Sequence, residues 1–122
     1  MTDRLKKRST EATSSIMVFP SDTNDYGTMY GGRLIEMMDM VGGICARRFS
    51  SHKAVTASIE DMQFNKPINR GDIIEFKSKV IYTGKTSMVI KTKVTREAMM
   101  RPKRYVLELI LFLLLWILMV DQ

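Results

Sequence analysis

The sequence contains very few of the residues that build metal sites and covalent active sites. Its 122 residues include one cysteine, Cys45, and one histidine, His52. A lone cysteine excludes an intrachain disulfide and favours a reducing compartment, which we interpret as the cytoplasm. A zinc site requires several cysteine or histidine ligands, so no metal is expected.

A serine-esterase triad is also disfavoured. It would have to use His52, which lies in the polar turn Ser50–Lys53, and no nucleophile-elbow sequence accompanies it. Cys45 falls in an apolar helical stripe, so we interpret it as a buried core thiol rather than a nucleophile. If the chain is a hydrolase, its chemistry must therefore come from other side chains.

The charge is strongly positive, with a formal net charge of +6. Part of it lies in segment 1–13, which is polar and aperiodic, so we predict a disordered basic arm. No apolar stretch follows the arm, and a secretory signal is not expected. No motif is typical of nucleic-acid binding, whereas a small polyanion such as coenzyme A suits the charge. Residues 14–122 are predicted to form one domain.

A helix is predicted from about Gly32 to Phe49. Its apolar residues recur at helical spacing and form one stripe: Leu34, Met37, Met38, Val41 and Cys45. The opposite side carries Glu36, Asp39, Gly43 and Arg47. Gly42 and Gly43 weaken an isolated helix by about 1 kcal/mol each, which indicates that another backbone approaches there.

Strands are predicted on both sides of this helix. An apolar run at 16–19 precedes a polar loop, and three later segments alternate apolar and polar residues: 54–64, 73–82 and 86–95. One long helix with several antiparallel strands indicates an α+β fold, with the helix packed on one face of the sheet.

The last apolar segment, Leu109–Val120, contains no charged residue. It is long enough for a final buried strand but does not alternate as a one-sided strand does. A membrane anchor through 105–120 is possible but disfavoured, because spanning helices need about 20 apolar residues. A third hypothesis is that a shifted reading frame encodes this segment, since the alternation is lost abruptly where a strand is due.

Between residues 14 and 97 a set of short motifs follows one another in a characteristic order. They are Val18–Gly32, Met37–Gly43, Val55–Ser58, Phe64–Pro67, Gly71-Asp72 and Tyr82–Ser87. The ordered set closely resembles acyl-CoA hydrolases of the hotdog superfamily. After about Glu97 the likeness fades.

This resemblance implies a hotdog fold, in which an antiparallel sheet wraps around one long central helix. It also implies hydrolysis of fatty acyl-CoA to fatty acid and coenzyme A, in dimers joined into a larger homo-oligomer. In similar enzymes a loop Asn or Asp and a helix acid face each other across the dimer interface, and these map to Asn24 and Asp39.

The chemistry of a thioesterase gives each matched residue an expected role. Asp39 is a general base for water or a nucleophile, and Asn24 orients the water or donates to the oxyanion. Gly31 and Gly32 bring the thioester close to the backbone N–H groups of the helix N-terminus. No organic cofactor is required.

The turn Lys85-Thr86-Ser87 has two interpretations, as a contact for the phosphates of coenzyme A or as a plain hairpin turn. Asn24 alone is typical of an Asx turn, and Asp39 alone of a solvated helix face. Two other functions stay open for the chain. One is a non-catalytic or defective hotdog module that binds acyl-CoA, from a gene with an altered 3′ end, and the other is a protein anchored to a membrane by its C-terminal segment.

Overall fold

The structure, a computed structural model, describes residues 11–60, 66–98 and 104–118, the last segment as backbone only. Its elements are β1 (Glu11–Met17), a short 3-10 turn (Pro20–Asp22), α1 (Gly31–Ser50), β2 (Lys53–Glu60), β3 (Ile73–Thr83), β4 (Ser87–Glu97) and β5 (Arg104–Leu118). The order of the elements is that of one helix inserted into a run of strands.

The five strands form one antiparallel sheet in the order β1-β3-β4-β5-β2. Strands β3, β4 and β5 are joined as a meander, whereas β2 follows the helix and lies at the far edge, beside β5. Helix α1 packs on one face of this sheet and contacts all five strands. The α+β prediction is confirmed.

The core lies between α1 and the inner face of the sheet. The predicted helical stripe is buried, with Leu34 2% and Met38 0% exposed. Gly42 and Ala46, which lie outside the predicted stripe, are also buried, so the apolar face of α1 is wider than the sequence predicts. Inward residues of β3 and β4 complete the core: Ile74, Phe76, Val80, Met88, Ile90 and Val94.

Most predicted boundaries agree with the structure within a few residues, and two differ. Strand β1 begins at Glu11 and pairs with β3, so residues 11–13 belong to the sheet and not to the predicted arm. Residues 1–10 lie outside the described residues. Strand β2 is described as far as Glu60, and the rest of the strand predicted at 54–64 lies outside the described residues.

The C-terminal apolar segment is a strand. Backbone pairing joins β5 to β4 on one side and to β2 on the other, with a bulge in each ladder. The final-strand interpretation is therefore confirmed up to Leu118. In the part of the chain that the structure describes, no helix has the length and apolarity needed to cross a membrane. The reading-frame hypothesis stays a prediction that the coding DNA tests.

Candidate active site

Asn24 sits in a tight loop and its side chain organises that loop. Its Oδ1 accepts hydrogen bonds from the backbone N–H groups of Tyr26 at 2.9 Å and Thr28 at 3.2 Å, and from the Thr28 hydroxyl at 3.1 Å. These are the bonds of an Asx turn, one of the two interpretations of this residue. Gly27, with φ of +79°, provides the left-handed position that the turn requires.

The Asn24 loop is tied to the segment that precedes β3. The backbone N–H of Met29 donates to the Ile68 carbonyl at 2.7 Å, and that of Arg70 donates to the Gly27 carbonyl at 3.0 Å. The segment is itself fixed by the buried carboxylate of Asp72, which lies 3.5 Å from Nε of Arg96. The loop is therefore held by backbone bonds before any ligand arrives.

A second buried acid, Asp22, joins this loop to the start of α1. Its two carboxylate oxygens accept from the backbone N–H of Phe19 and from Nε of Arg33, each at 3.0 Å. Arg33 also donates a hydrogen bond to Glu36. The hydrogen bond to Glu36, which has the larger effect, and the one to Asp22 raise the pKa of the Arg33 guanidinium. Sequence patterns alone did not reveal Asp22, because its partner lies a full loop away in the chain.

The helix N-terminus opens onto a cavity of about 370 Å³. The helix begins at Gly31 without a side-chain cap, and residues 66–68 face it across the cavity. A Cβ added at Gly32 would meet nothing within 4 Å, so the described part of the chain leaves space beside the first backbone N–H groups of the helix. Uncapped N–H groups and the helix dipole favour negative charge at this place.

Asp39 lies in the middle of α1, half-buried, and reaches the edge strand β2. Its Oδ1 accepts a hydrogen bond from the hydroxyl of Thr56. Thr56 lies in the quoted motif Val55–Ser58 but was not expected to have a role, because only the packing of α1 against β2 brings it to Asp39. Its place in an alternating strand next to the helix was the one available signal.

An apolar, solvent-exposed surface lies beside the Asp39–Thr56 contact. Met40 is 53% exposed and Val55 49%. Both line a cavity of about 490 Å³ that lies between the exposed sides of α1 and β2. A Cβ at Gly43 would meet nothing within 4 Å, so among the described residues no backbone approaches there. Within the described residues β2 pairs only with β5, and its other edge is open.

The turn between β3 and β4 lies at the same end of the sheet as Thr56. Lys85 and Thr86 are exposed, and the N–H of Gly84 donates to the Ser87 carbonyl at 2.7 Å, which closes the turn. In register, Thr56 aligns through β5 with Met88. Since neighbouring strands lie about 4.8 Å apart, Met88, the second residue of β4 after the turn, is roughly 10 Å from Thr56.

The structure thus brings some of the predicted site residues together and leaves others apart. Gly31 and Gly32 form the N-terminus of α1, close in the chain to the Asn24 loop. The turn with Lys85 lies at the end of the sheet where Thr56 of β2 contacts Asp39. Within the described residues no hydrogen bond links Asn24 to Asp39 in a single chain.

Cys45 and His52 take no part in this constellation. The Cys45 thiol is buried, and burial raises its pKa to about 11, so it is a core group, as predicted. His52 is exposed in the turn after α1, where its Nδ1 lies 2.6 Å from the Ser50 carbonyl. Among the described residues no cluster of His, Cys, Asp or Glu is arranged to hold a metal ion.

Comparison with known proteins places this arrangement in a family. The sequence profile of the Thioesterase superfamily matches residues 26–103. An uncharacterized acyl-CoA thioester hydrolase of Bacillus subtilis is 38% identical over 87 residues, which cover 71% of this chain and 51% of that protein. The chain therefore spans about half the length of this relative.

Solved structures agree with the sequence match. An acyl-CoA hydrolase from Staphylococcus aureus, in complex with butyryl coenzyme A and coenzyme A, superposes with a TM-score of 0.83 at 30% identity, over 89% of this chain and 66% of that one. The same hydrolase has been solved with alanine replacing an asparagine, an aspartate or a threonine.

A hexameric thioesterase from Yersinia pestis superposes with a TM-score of 0.79 at 28% identity, over 89% of this chain and 86% of that one. The α+β architecture, with one long helix against an antiparallel sheet, is therefore the hotdog fold. From the match over residues 26–103 it follows that this chain belongs to the Thioesterase superfamily.

Proposed function

We infer that this chain hydrolyses the thioester of fatty acyl-CoA to fatty acid and coenzyme A, with Asp39 as the central catalytic group. The observation that carries the inference is the carboxylate of Asp39, fixed by Thr56 at the junction of α1 and β2. Its chain neighbour Met40, and Val55 next to Thr56, line an open cavity between α1 and the edge strand β2.

The Staphylococcus aureus hydrolase supports this assignment through spacing. Its replaced asparagine, aspartate and threonine are separated by fifteen and then seventeen positions. Asn24, Asp39 and Thr56 have the same separations. Three residues at matching intervals, one of which bonds another directly in this chain, favour a shared site.

The hydrogen bond from Thr56 holds Oδ1 of Asp39 and leaves Oδ2 for chemistry. In one route Oδ2 takes a proton from water, whose oxygen attacks the thioester carbon. The C–S bond then breaks, and the thiolate of coenzyme A leaves and takes up the proton. In the other route Oδ2 attacks the carbon directly, the C–S bond breaks and the thiolate of coenzyme A leaves; water then cleaves the resulting anhydride to fatty acid and the free Asp39 carboxylate, and the thiolate takes up a proton. Both routes need the same fixed carboxylate.

Asn24 and the helix N-terminus are proposed to stabilise the oxyanion. The three bonds to Oδ1 of Asn24 fix its amide plane, so its Nδ2 group is presented as a donor in one orientation. The N–H groups of Gly31 and Gly32 add backbone donors that need no reorganisation. Loss of either set would raise the barrier without removing Asp39.

The exposed turn at Lys85-Thr86-Ser87 is proposed to hold phosphates of coenzyme A. A lysine ammonium and hydroxyl groups suit phosphate, and the turn begins β4 just before Met88, which lies roughly 10 Å from Thr56, so the turn is within reach of an extended coenzyme A arm. Its backbone is a simple closed turn, so the hairpin interpretation and the binding role are compatible.

The active unit is proposed to be a homodimer or a larger homo-oligomer. Asn24 and Asp39 do not bond within one chain, and the open face with Met40, Gly43 and Val55 borders Asp39. A second subunit on that face would cover exposed apolar side chains and bring its own Asn24 to Asp39.

The test is hydrolysis of palmitoyl-CoA followed with a thiol reagent. The only cysteine of the chain is buried, with its pKa raised to about 11, so the colour reports released coenzyme A. We expect turnover by the natural chain and a loss of about a thousandfold in kcat for Asp39→Asn.

An unchanged melting temperature for Asp39→Asn serves as the folding control. Full activity in this variant would remove Asp39 from the mechanism. Binding of acyl-CoA without any thiol release by the folded natural chain would instead favour the non-catalytic binding module.

A further inference from the structure

Four lysines meet on the outer face of the sheet, away from α1. In the β3–β4 ladder Lys77 is directly opposite Lys93, and Lys79 is directly opposite Lys91. All four are exposed, while the alternate residues of both strands are buried against the helix. We call these four side chains the lysine quartet.

The lysine quartet is an arrangement that folding alone does not favour. Like charges directly opposite each other destabilise an antiparallel pair. Among the described side chains none of the four ammonium groups forms an ion pair. On the same face Glu11 is opposite Lys79, and Glu75 and Glu97 lie at the end of the ladder away from the β3–β4 turn. The β5 register also places Glu108 beside Lys93. The half of the face next to the turn, where Lys79 and Lys91 have Glu11 as the nearest acid in register, is therefore positive.

Apolar and amphipathic side chains continue the same face beyond the quartet. A bulge in β3 follows Val80, and there Ile81 is 45% exposed and Tyr82 61%. Tyr82 pairs with Val89, which is the residue of β4 that follows Lys91 on the outer face toward the β3–β4 turn. Lysines bordered by exposed tyrosine and isoleucine are typical of protein surfaces that sit at a membrane interface.

We propose that the lysine quartet, with Ile81 and Tyr82, docks this protein on the surface of an anionic phospholipid bilayer. Charge complementarity selects an anionic partner, since clustered lysines are attracted to anionic lipid surfaces. The choice of a bilayer among polyanions rests on the proposed function, since a fatty acyl thioester is an amphiphile that partitions into membranes.

The geometry of the sheet adds a consequence for substrate entry. The exposed residues Ile81 and Tyr82 lead directly into the turn with Lys85, at the end of the sheet where Asp39 contacts Thr56. Docking through this face therefore places the candidate coenzyme A contact at the bilayer surface. An acyl-CoA held at the bilayer would then meet the candidate contact for its phosphates without first diffusing through water.

The experiment is co-sedimentation of the full chain with vesicles of phosphatidylcholine alone and of an equal mixture with phosphatidylglycerol. A charge-removing variant is compared with a matched control that removes the same number of positive charges from the N-terminal segment. The quartet variant is K77Q, K79Q, K91Q and K93Q together, and the control variant is R4Q, K6Q, K7Q and R8Q together.

The natural chain is expected to bind the mixed vesicles and not those of phosphatidylcholine. The quartet variant should bind at least about tenfold more weakly, and the control variant within about twofold of the natural chain. A third variant with arginine at all four quartet positions keeps the charge and should keep the binding. Removal of the lysine pairs relieves repulsion, so the melting temperature of the quartet variant should not fall.

Several results would overturn the proposal. They are no binding by the natural chain, equal binding to neutral vesicles, equal loss in the quartet and control variants, and tighter binding of a DNA duplex than of mixed vesicles. Hydrolysis of butyryl-CoA without vesicles is measured in parallel and should be equal in all variants. Failure of the natural chain there would contradict the proposed hydrolysis, whereas failure of vesicle binding alone would contradict only the docking.

Discussion

The two halves of the candidate site are held in different ways. The side chain of Asn24 bonds residues only two and four positions away, and its loop is fixed by backbone bonds to residues 68–72. Asp39 instead depends on Thr56, 17 positions away on the edge strand β2. One half is formed locally, and the other only when the sheet is complete.

This difference assigns a functional role to the C-terminal strand. β2 pairs only with β5 within the described residues, and β5 lies where the likeness to the hydrolase motifs has faded. Thr56 is opposite Leu115 in that ladder. The geometry at Asp39 therefore depends on a segment that carries none of the recognised motifs.

Among the variants that distinguish the Asn24 half of the site from the Asp39 half, Leu115→Pro is expected to have the largest effect. Proline removes the N–H of a strand that pairs on both sides and should lower the free energy of unfolding by about 3 kcal/mol or more. Hydrogen exchange should show protection lost first in Lys53–Glu60, while the loop around Asn24 stays protected. Leu115→Ile, which keeps the N–H, is the control. Equal loss of protection in both regions would contradict the division into two halves.

Thr56→Val should have a smaller effect, confined to the Asp39 half. It removes the hydroxyl that fixes Oδ1 but keeps the branched shape, so kcat should fall about tenfold, while KM and the melting temperature change little. Thr56→Ser restores the hydroxyl and should recover most of the rate. If valine and serine gave the same kcat, the hydrogen bond would have no role in positioning Asp39.

Gly43→Ala and Gly32→Ala compare the exposed side of α1 near β2 with the N-terminus of α1, and the smallest effects are expected here. Alanine favours the helix, and at Gly43 it should strengthen the isolated subunit but weaken subunit association by about 1 kcal/mol if a partner packs there. At Gly32 the methyl group should raise KM and leave association unchanged. Analytical ultracentrifugation separates the two, and unchanged association in Gly43→Ala would argue against that face as the interface.

The sequence predicts the helix and the strands well because their periodicity reflects local rules. The stripe from Leu34 to Cys45 identifies the buried face of α1, and the alternation in 73–82 and 86–95 identifies β3 and β4. The C-terminal strand was harder to predict, since a continuous apolar run fits a strand, an anchor or a shifted frame. Its pairing with β4 and β2 shows that it is a strand, whichever reading frame encodes it.

Contacts made by tertiary packing could not be predicted from spacing. Thr56 bonds Asp39 because β2 passes beside α1, and Asp22 bonds Arg33 because the loop folds back on the helix. The lysines at 77 and 93 are opposite each other only through the strand register. Whether Asn24 and Asp39 form one site across subunits stays a prediction.

Subunit complementation tests that prediction most directly. Asn24→Ala and Asp39→Ala chains, each inactive alone, are mixed under conditions that allow subunit exchange, and palmitoyl-CoA hydrolysis is measured. If each site takes Asn24 from one subunit and Asp39 from the other, a mixed dimer contains one intact site, and the mixture should recover roughly a quarter of natural activity. A mixture no more active than either variant alone, with exchange demonstrated, would contradict the shared site.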